Sequence, residues 1–588
     1  MKEEAKARKA QARAGIAPLS TTNRDQTVPG WELTVGIEIH AQLNTARKLF
    51  SAAAATAESN DAQEETEPND SARVAFFDVA LPGAQPIFQP ATLVPALRAA
   101  LALHCEVQPV SRFDRKHYFH WDQPAGYQIT QYYEPLARGG YVELLPRDGI
   151  HGDAPVRVDI VQVQMEQDTA KTLAQPGDVH WLDFARVGMP LVEIITAPQL
   201  HHPATAAALV RKIQALLHAV DACTSGMEAG GLRADVNVSV RRLRQEDGTP
   251  IGPLGVRTEI KNLNSFRAVE DAIIAERNRQ IAAIEAAAAA GHPDPASVIE
   301  SETRGWTPPS GAGEGGQTHR LRGKEGAVDY RYMPDPDLGP VIIDEGLVRY
   351  LGLTLGVSPD EELDRLVDEY GLTAVDAAAL MALDGGGRAQ YYYDVVDAVE
   401  ARLLQSGGGE DDVGARAFVA NWVLHQLGKL TAEKASSIGD DSSGAAASLG
   451  MTPEGRCKVP VDALADILTF RYQGRITAGV AKDLLFAVFR GDVGGENVPS
   501  VEQAIEEAGL WFDEIAPDEY RALAEEALDG EAKTLKLFLS PKKYPQGKLQ
   551  YLVGKLLRMG PEGRTDPQHA ETAVRAAIEQ WVEEKKKA

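Results

Sequence analysis

Hydrophobic and polar residues alternate strictly in the first part of the chain. Residues 31–43 place six apolar side chains on one face: Leu33, Val35, Ile37, Ile39, Ala41 and Leu43. Polar side chains, among them Glu38 and His40, fall on the other face. The same period of two residues recurs at residues 234–241 and 256–261. Repeated alternation of this kind predicts an antiparallel sheet with one buried face and one solvated face.

The pattern changes to helices further along the chain. A long helix is predicted over residues 265–290, where an alanine run ends at Gly291. After about residue 345 no convincing period-two strand follows. Segments rich in Gly, Pro, Ser or Asp predict loops, and these are residues 307–317, 406–414 and 433–450.

These patterns together predict an α+β protein with several domains. An N-terminal disordered or targeting segment is expected at residues 1–30. An antiparallel-sheet domain is expected at 31–345, a helical linker domain at 346–410 and a helical tail domain at 411–588. With 588 residues the chain is too long for a single hydrophobic core, which supports a division into domains.

The amino-acid composition is typical of an ordinary globular protein. Hydrophobic residues make up 44% and charged residues 25% of the chain, without the run of about 18 apolar residues that a membrane span requires. The 3 cysteines lie far apart and lack metal-ligand spacing, so neither a disulfide framework nor a zinc site is expected.

Charge is unevenly distributed. The net charge of -25 argues against nonspecific binding of polyanions by the whole surface. Residues 531–564 nevertheless contain eight Lys or Arg and two Glu, so this stretch is a candidate for nucleic-acid binding. The first 30 residues include Lys2, Lys6, Arg8, Lys9 and Arg13 together with Glu3 and Glu4. A mitochondrial transit peptide and a disordered tail therefore both stay open on composition alone.

The polar face of the predicted sheet carries a candidate metal site. Glu38 and His40 lie two residues apart, so their side chains point the same way. A strand over residues 158–168 would place Glu166 on a polar face, and Glu193 follows an apolar run. Carboxylates with a nearby imidazole suit Mg²⁺. An ordinary solvated sheet face would show the same residues, so both interpretations stay open.

Basic and aromatic residues are interleaved over residues 113–129. Such a segment suits the single-stranded end of an RNA, where bases stack on rings and phosphates are neutralised. The alternative is that the rings are core residues and that Arg115 and Lys116 pair with nearby acids. The composition does not separate the two.

Several catalytic signatures are absent from the sequence. There is no phosphate-binding Gly-x-x-x-x-Gly-Lys-Ser/Thr loop and no kinase signature. Ser442 lies in a low-complexity stretch, and none of the cysteines has a recognisable nucleophile context. Hydrolysis of an amide by this chain is therefore not expected.

A series of motifs, in order along the chain, resembles the B subunit of tRNA-dependent amidotransferases. The motifs are GIEIH (36–40), DRKHYF (114–119), GYQITQ (126–131), QMEQD (164–168), MEAGGLRADVN (227–237), EIKNLNSF (259–266), ETR (302–304), KEGAVDYRY (324–332) and LVGK (552–555). Each motif is weak alone, but their ordered combination is specific. The resemblance is continuous from about residue 31 to 345.

The resemblance implies a fold, a reaction and partners. The sheet domain would be a cradle for the acceptor end of the tRNA, and the tail domain would grip the tRNA. Using ATP and Mg²⁺, the subunit would phosphorylate the glutamate of Glu-tRNA(Gln) and amidate it to Gln-tRNA(Gln). An amidase-type A subunit would supply ammonia, and a small third subunit would brace the complex.

The resemblance also assigns residues. Those expected to bind the metal are Glu38, His40, Glu166 and Glu193, with Glu228 and Asp235 as further candidates. Lys116 is expected on the ammonia path and counts, with Glu38, His40 and Glu166, among the catalytic residues.

The sequence departs from the common family pattern at three sites. Gln167 replaces a glutamate, His120-Trp121 replaces Tyr-Pro, and Ala229-Gly230-Gly231 replaces Glu-Gly-Ser. These variants are similar to organellar members and favour a mitochondrial location over the cytoplasm of a prokaryote. Three functional alternatives stay open: a noncatalytic tRNA-docking chain, another ATP-dependent ligase that activates carboxylates, and an additional action on Asp-tRNA(Asn).

Overall fold

The computed structural model describes most of the chain from residue 26 onward. The described ranges are 26–55, 73–177, 179–223, 225–244, 246–308, 316–323, 330–407, 412–432, 449–452, 455–495, 498–513, 515–539, 545–561 and 564–587. The predicted loops at 307–317 and 433–450 lie largely outside these ranges, as do residues 408–411 of the loop at 406–414 and most of the N-terminal segment 1–30.

The strands all lie in the first part of the described chain. They are Trp31–Gln42 (β1), Glu106–Val107 (β2), Val110–Ser111 (β3), Asp114–His117 (β4), Tyr127–Thr130 (β5), Ala137–Arg138 (β6), Tyr141–Leu144 (β7), Val156–Gln167 (β8), Lys171–Gln175 (β9), Val179–Asp183 (β10), Pro190–Thr196 (β11), Leu232–Leu243 (β12), Pro250–Ile251 (β13), Thr258–Leu263 (β14), Glu302–Thr307 (β15), Gln317–Gly323 (β16), Met333–Pro334 (β17) and Val341–Ile342 (β18).

Among the described residues, eleven strands form one sheet. Its main path runs β16-β15-β14-β12-β1-β11-β8-β6-β2, with β13 paired to β12 and β7 to β8. The central strands β12, β1, β11 and β8 pair antiparallel, whereas β14 and β15 pair parallel. The three strands predicted from alternation are confirmed as β1, β12 and β14.

Helices are interspersed with the strands in the first part of the chain and predominate in the described residues after 345. They are Leu93–Ala102 (α1), Pro203–Ala219 (α2), Phe266–Ala289 (α3), Glu345–Leu353 (α4), Pro359–Asp368 (α5), Ala374–Ala382 (α6), Gly387–Gln405 (α7), Val413–Asn421 (α8), Leu427–Ala432 (α9), Val461–Tyr472 (α10), Ala478–Arg490 (α11), Val501–Glu507 (α12), Pro517–Leu528 (α13), Ala532–Leu535 (α14), Gln546–Met559 (α15) and Pro567–Lys587 (α16). The long helix predicted at 265–290 is confirmed as α3. The Ser265 side chain accepts a hydrogen bond from the Ala268 amide and so caps its N-terminus.

The chain divides into two compact units, residues 1–361 and 362–588. The core of the first unit contains the apolar face of β1, including Val35, Ile37 and Ile39. The second unit has two clusters of buried apolar residues, drawn from 366–505 and from 515–578. The α+β class is confirmed, since the sheet lies in the first unit and helices make up the second. The division into cradle, linker and tail stays a prediction. Among the described helices, none combines the length and apolar character that crossing a membrane would need.

The expectation of a solvated polar face is wrong at the centre of the sheet. Glu166, Glu193 and Asp235 are only 2%, 6% and 5% exposed. A small sheet of β17, β4 and β5 explains the burial at Glu166. Gln128 of β5 donates a hydrogen bond to Glu166, and Lys116 of β4 lies against the same carboxylate. The polar face is therefore a partly enclosed site.

Candidate active site

Strand register brings distant parts of the sequence together on the polar face. In the pairing of β1 with β11, His40 lies directly opposite Glu193. In the pairing of β11 with β8, Glu193 lies opposite Gln164. On the other side of β1, Glu38 lies opposite Asp235 of β12. Directly opposed residues share a face of the sheet, so these side chains lie on one face in two neighbouring rows.

Three predicted metal ligands converge. His40, Glu166 and Glu193 each offer a ligand atom, and these atoms all lie within 4.8 Å of one another. The Nδ1 atom of His40 is 4.0 Å from Oε1 of Glu166. The structure therefore brings an imidazole and two buried carboxylates to a common point, as a site for a hard cation requires.

Glu38 and Asp235 stand beside this set. Glu38 accepts a hydrogen bond of 3.0 Å from the Asn237 amide. The Asp235 carboxylate is held by the Lys261 ammonium at 2.7 Å and by the Asn262 backbone amide at 2.9 Å. Burial opposes ionisation of Asp235, but these contacts outweigh it and keep its pKa below the ordinary value. Asp235 is therefore committed to an ion pair.

Glu228 cannot be placed relative to the set. It belongs to the short 3-10 helix Met227–Ala229, and its side chain lies outside the part of the chain that the structure describes. Its assignment as a metal ligand stays a prediction.

Burial sets the protonation behaviour of the carboxylates. Removal from water raises the pKa of Glu166 and of Glu193, and a nearby carboxylate adds to each rise, Glu193 for Glu166 and Glu38 for Glu193. Lys116 opposes this, with its Nζ 3.8 Å from Oε2 of Glu166. Burial disfavours the charged form of Lys116, yet the two carboxylates outweigh it and raise its pKa above the ordinary value. Lys116 is therefore a permanent cation at neutral pH.

The residues present fit a divalent cation. Oε2 of Glu166 is buried and has no hydrogen-bond partner among the described residues. Its other oxygen accepts a hydrogen bond of 2.7 Å from Gln128, and Gln164 donates one to Glu193. Glutamine amides hold the carboxylates without neutralising them, so the set keeps a negative charge that a bound cation would balance.

Several residues of this site lie in the motifs quoted above, but the sequence analysis assigned them no role. The alternation of residues 256–261 predicts that Lys261 shares the polar face with Glu259, but it does not predict the ion pair of Lys261 with Asp235. The Lys116 ammonium lies 5.4 Å from the centre of the Tyr330 ring. Tyr332 also lies near this lysine, and burial raises the pKa of the Tyr332 hydroxyl. No periodic signal marks these two tyrosines.

The segment 113–129 combines both of its predicted characters. Arg115 pairs with Asp335 at 2.8 Å and with Asp337 at 2.9 Å, as the ion-pair alternative requires. Phe113 is buried in the core. Phe119 and Trp121, by contrast, are 88% and 51% exposed. Binding of an RNA end by this segment stays a prediction.

The basic stretch 531–564 is described only in part. Lys542 and Lys543 lie outside the described residues. Lys548 is exposed on α15, whereas Lys555 donates a hydrogen bond of 3.2 Å to the Asp529 carbonyl and lies 3.7 Å from Glu531. Binding of tRNA by this stretch stays a prediction.

The sheet of the first unit thus carries a partly enclosed set of two carboxylates, an imidazole and a lysine. Residues 33–349 match the family described as GatB/GatE catalytic domain, and the chain belongs to this family. The family resemblance found in the motifs is thereby confirmed.

Curated relatives extend the similarity over almost the whole chain. The mitochondrial B subunit of glutamyl-tRNA(Gln) amidotransferase from Neurospora crassa is 56% identical, covering 99% of this chain and 86% of the relative. The proteins of the same name from Pyricularia oryzae and Aspergillus fumigatus are 55% and 48% identical, covering 99% and 98% of this chain and 88% and 89% of those relatives. The names of these relatives confirm the predicted mitochondrial location.

Proposed function

We propose that this chain is the subunit that activates and amidates the glutamate of Glu-tRNA(Gln), producing Gln-tRNA(Gln). Its named relatives are B subunits of this amidotransferase. The observation that carries the proposal is the convergence of His40, Glu166 and Glu193 within 4.8 Å, with Lys116 against the two buried carboxylates. The partners are an amidase-type A subunit that releases ammonia and a small third subunit.

The reaction needs activation because a carboxylate is a poor electrophile. Transfer of the terminal phosphoryl group of ATP to the γ-carboxylate gives an acyl phosphate, and ammonia then displaces phosphate from the carbonyl carbon. Such transfer depends mainly on positioning and on positive charge near the phosphates. His40, Glu166 and Glu193 would hold Mg²⁺, with Glu38 beside them. When bound, Mg²⁺ supplies charge stabilisation to the phosphate oxygens.

Lys116 and Glu166 have different roles in the second step. Lys116 stays protonated because its pKa is raised, so it donates hydrogen bonds and does not act as a base. Attack by neutral ammonia forms a C–N bond and leaves a positively charged nitrogen that must lose a proton. Glu166 would hold the cation through this step, and a carboxylate bound to a cation is a weak base, so the proton passes to the departing phosphate.

The helical region is proposed to hold the tRNA. Residues 346–410 would connect the cradle to the tail, and residues 411–588 would contact the tRNA. The support is the basic stretch 531–564 in a chain of net charge -25.

One experiment separates this proposal from a docking-only role. The chain is co-purified with its A and third subunits, and conversion of Glu-tRNA(Gln) is measured with ATP and glutamine. Conversion that requires ATP and is lost in Glu166→Gln, with tRNA binding retained, supports the proposal. Full conversion by Glu166→Gln would indicate that the chain only docks the tRNA and takes no part in the chemistry. Amidation of free glutamate without tRNA would indicate the other class of ligase.

A further inference from the structure

The guanidinium of Arg233 lies at the edge of the carboxylate–imidazole set. The register of β1 with β12 places Arg233 directly opposite His40. Opposed residues in an antiparallel pair project from the same face with their Cβ atoms about 5 Å apart. About a quarter of the Arg233 side chain (24%) is exposed. A ligand beside His40 would therefore meet this guanidinium.

Asp168 anchors Arg233 without using up its donors. The Nη2 atom of Arg233 donates to Oδ2 of Asp168 at 2.8 Å, and this is its one hydrogen bond among the described residues. Asp168 is itself fixed, since its amide donates to the Met189 carbonyl and its Oδ1 accepts from the Thr169 amide. A guanidinium carries five N–H donors, so most of them remain available for a ligand.

The two lysines of the polar face each have two carboxylates beside them. Lys261 contacts Asp235 at 2.7 Å and Glu259 at 3.1 Å. The charges of both carboxylates of the candidate metal set, Glu166 and Glu193, stabilise the Lys116 ammonium. Arg233 is bonded to one carboxylate, is partly exposed and lies directly opposite His40, a combination that neither lysine has. It is therefore the cation best placed to meet an additional anion.

We propose that Arg233 binds phosphate oxygens of the nucleoside triphosphate in this site. The inference rests on the proposed function and adds a residue to it. A planar guanidinium matches the geometry of two phosphate oxygens, and hydrogen bonds between charged groups are stronger than neutral ones. Anchoring by Asp168 fixes the guanidinium before the ligand arrives, which lowers the entropy cost of binding.

The test uses the co-purified complex and a non-hydrolysable β,γ-imido analogue of ATP with Mg²⁺. The variants are Arg233→Gln and Arg233→Lys, and the matched control is Arg241→Gln. Arg241 lies on the same strand and the same face, is equally exposed (24%) and pairs with one carboxylate, Glu32. It is eight residues away, about 26 Å along the strand. Affinity for tRNA is measured in parallel as a readout of folding.

Arg233→Gln is expected to weaken binding of the analogue about tenfold or more, with tRNA affinity unchanged. Arg233→Lys is expected to lose less affinity for the analogue, because lysine keeps the positive charge but lacks the planar pair of N–H donors. Arg241→Gln is expected to bind the analogue like the wild type. If Arg233→Gln and Arg241→Gln bind the analogue equally well, the inference is overturned and the proposed function stands. If the wild-type complex binds no nucleotide, the proposed function itself fails. If Arg233→Gln fails to fold, unchanged analogue binding by Arg233→Lys overturns the inference.

Discussion

Lys116 Nζ lies 3.8 Å from Oε2 of Glu166, although the two residues are fifty positions apart in the sequence. Glu166 Oε2 has no hydrogen-bond partner among the described residues, so this ammonium is its near electrostatic partner. The pair joins the predicted ammonia path to the candidate metal set. A substitution at Glu166 should therefore disturb the chemistry more than the binding of tRNA.

Replacing Glu166 with Gln should abolish activation while leaving docking intact. The substitution keeps volume and the acceptor for Gln128 but removes a charge that would hold the cation. The rate of amidation is expected to fall by about 100-fold or more, because this carboxylate would help to hold the cation that stabilises the phosphates. Acyl-phosphate formation and tRNA affinity are measured separately, and Glu38→Gln is expected to act in the same direction.

Glu143→Gln provides the control for that prediction, since Glu143 is an exposed residue of β7 on the strand next to β8. It should amidate like the wild type. Equal activity of Glu166→Gln and Glu143→Gln would contradict the proposed site.

The isolated chain should not hydrolyse glutamine. Neither its cysteines nor Ser442 have a nucleophile context, and burial raises the pKa of the Cys105 and Cys223 thiols to about 12. Ammonium release from glutamine is measured with the purified single chain and with the reconstituted complex. Release is expected only when the A subunit is present, and release by the single chain would disprove the division of labour.

Neutralising the basic stretch should weaken tRNA binding and flatten its dependence on salt. The variant replaces Lys542, Lys543, Lys548 and Lys555 with Gln. Each lost phosphate contact should reduce the slope of log affinity against log salt by roughly 0.7–0.9. Lys555 also contacts Glu531, so its share is expected to be smaller than that of exposed Lys548.

The control for this prediction removes two exposed lysines elsewhere in the second unit, Lys429 and Lys482. Their replacement should leave the slope unchanged. An unchanged slope in the quadruple variant as well would mean that the stretch only solubilises the surface.

The buried pair of Lys48 and Asp78 should be a large local determinant of stability. Lys48 is 0% exposed, and its Nζ lies 2.9 Å from Asp78 Oδ2. Lys48→Met leaves the carboxylate buried without its partner and is expected to cost about 3–5 kcal/mol. The double variant with Asp78→Leu should recover much of this loss. Urea unfolding measures both, and exposed Lys171→Met should change stability by less than about 0.5 kcal/mol.

The same pair predicts a dependence on pH. Burial lowers the pKa of Lys48 below 10.5, although Asp78 opposes the shift. The folded chain therefore releases this proton at a lower pH than the unfolded chain does. Stability from this group should rise as pH increases from the folded pKa towards 10.5. The difference in unfolding free energy between wild type and Lys48→Met is expected to grow over that window, and a constant difference would contradict the shift.

The sequence by itself determined the local features of this protein. A period of two residues identified β1, β12 and β14 and placed Glu38 and His40 on one face, because successive side chains of a strand point to opposite faces. The alanine run and Gly291 located the end of α3 to within two residues. The ordered motifs identified the family, because a long series of matches in register is specific even where each match is short.

Only the tertiary structure decided what the polar face became. Alternation predicts which residues share a face, but not the register of β1 against β11, which sets His40 opposite Glu193. It also does not show that β4 and β5 cover that face and bring Lys116 to Glu166. Register and burial depend on packing between segments far apart in the chain, whereas periodicity is a property of each segment alone. For that reason the sequence identified charged residues on a sheet, and the fold made them a buried site with raised carboxylate pKa values.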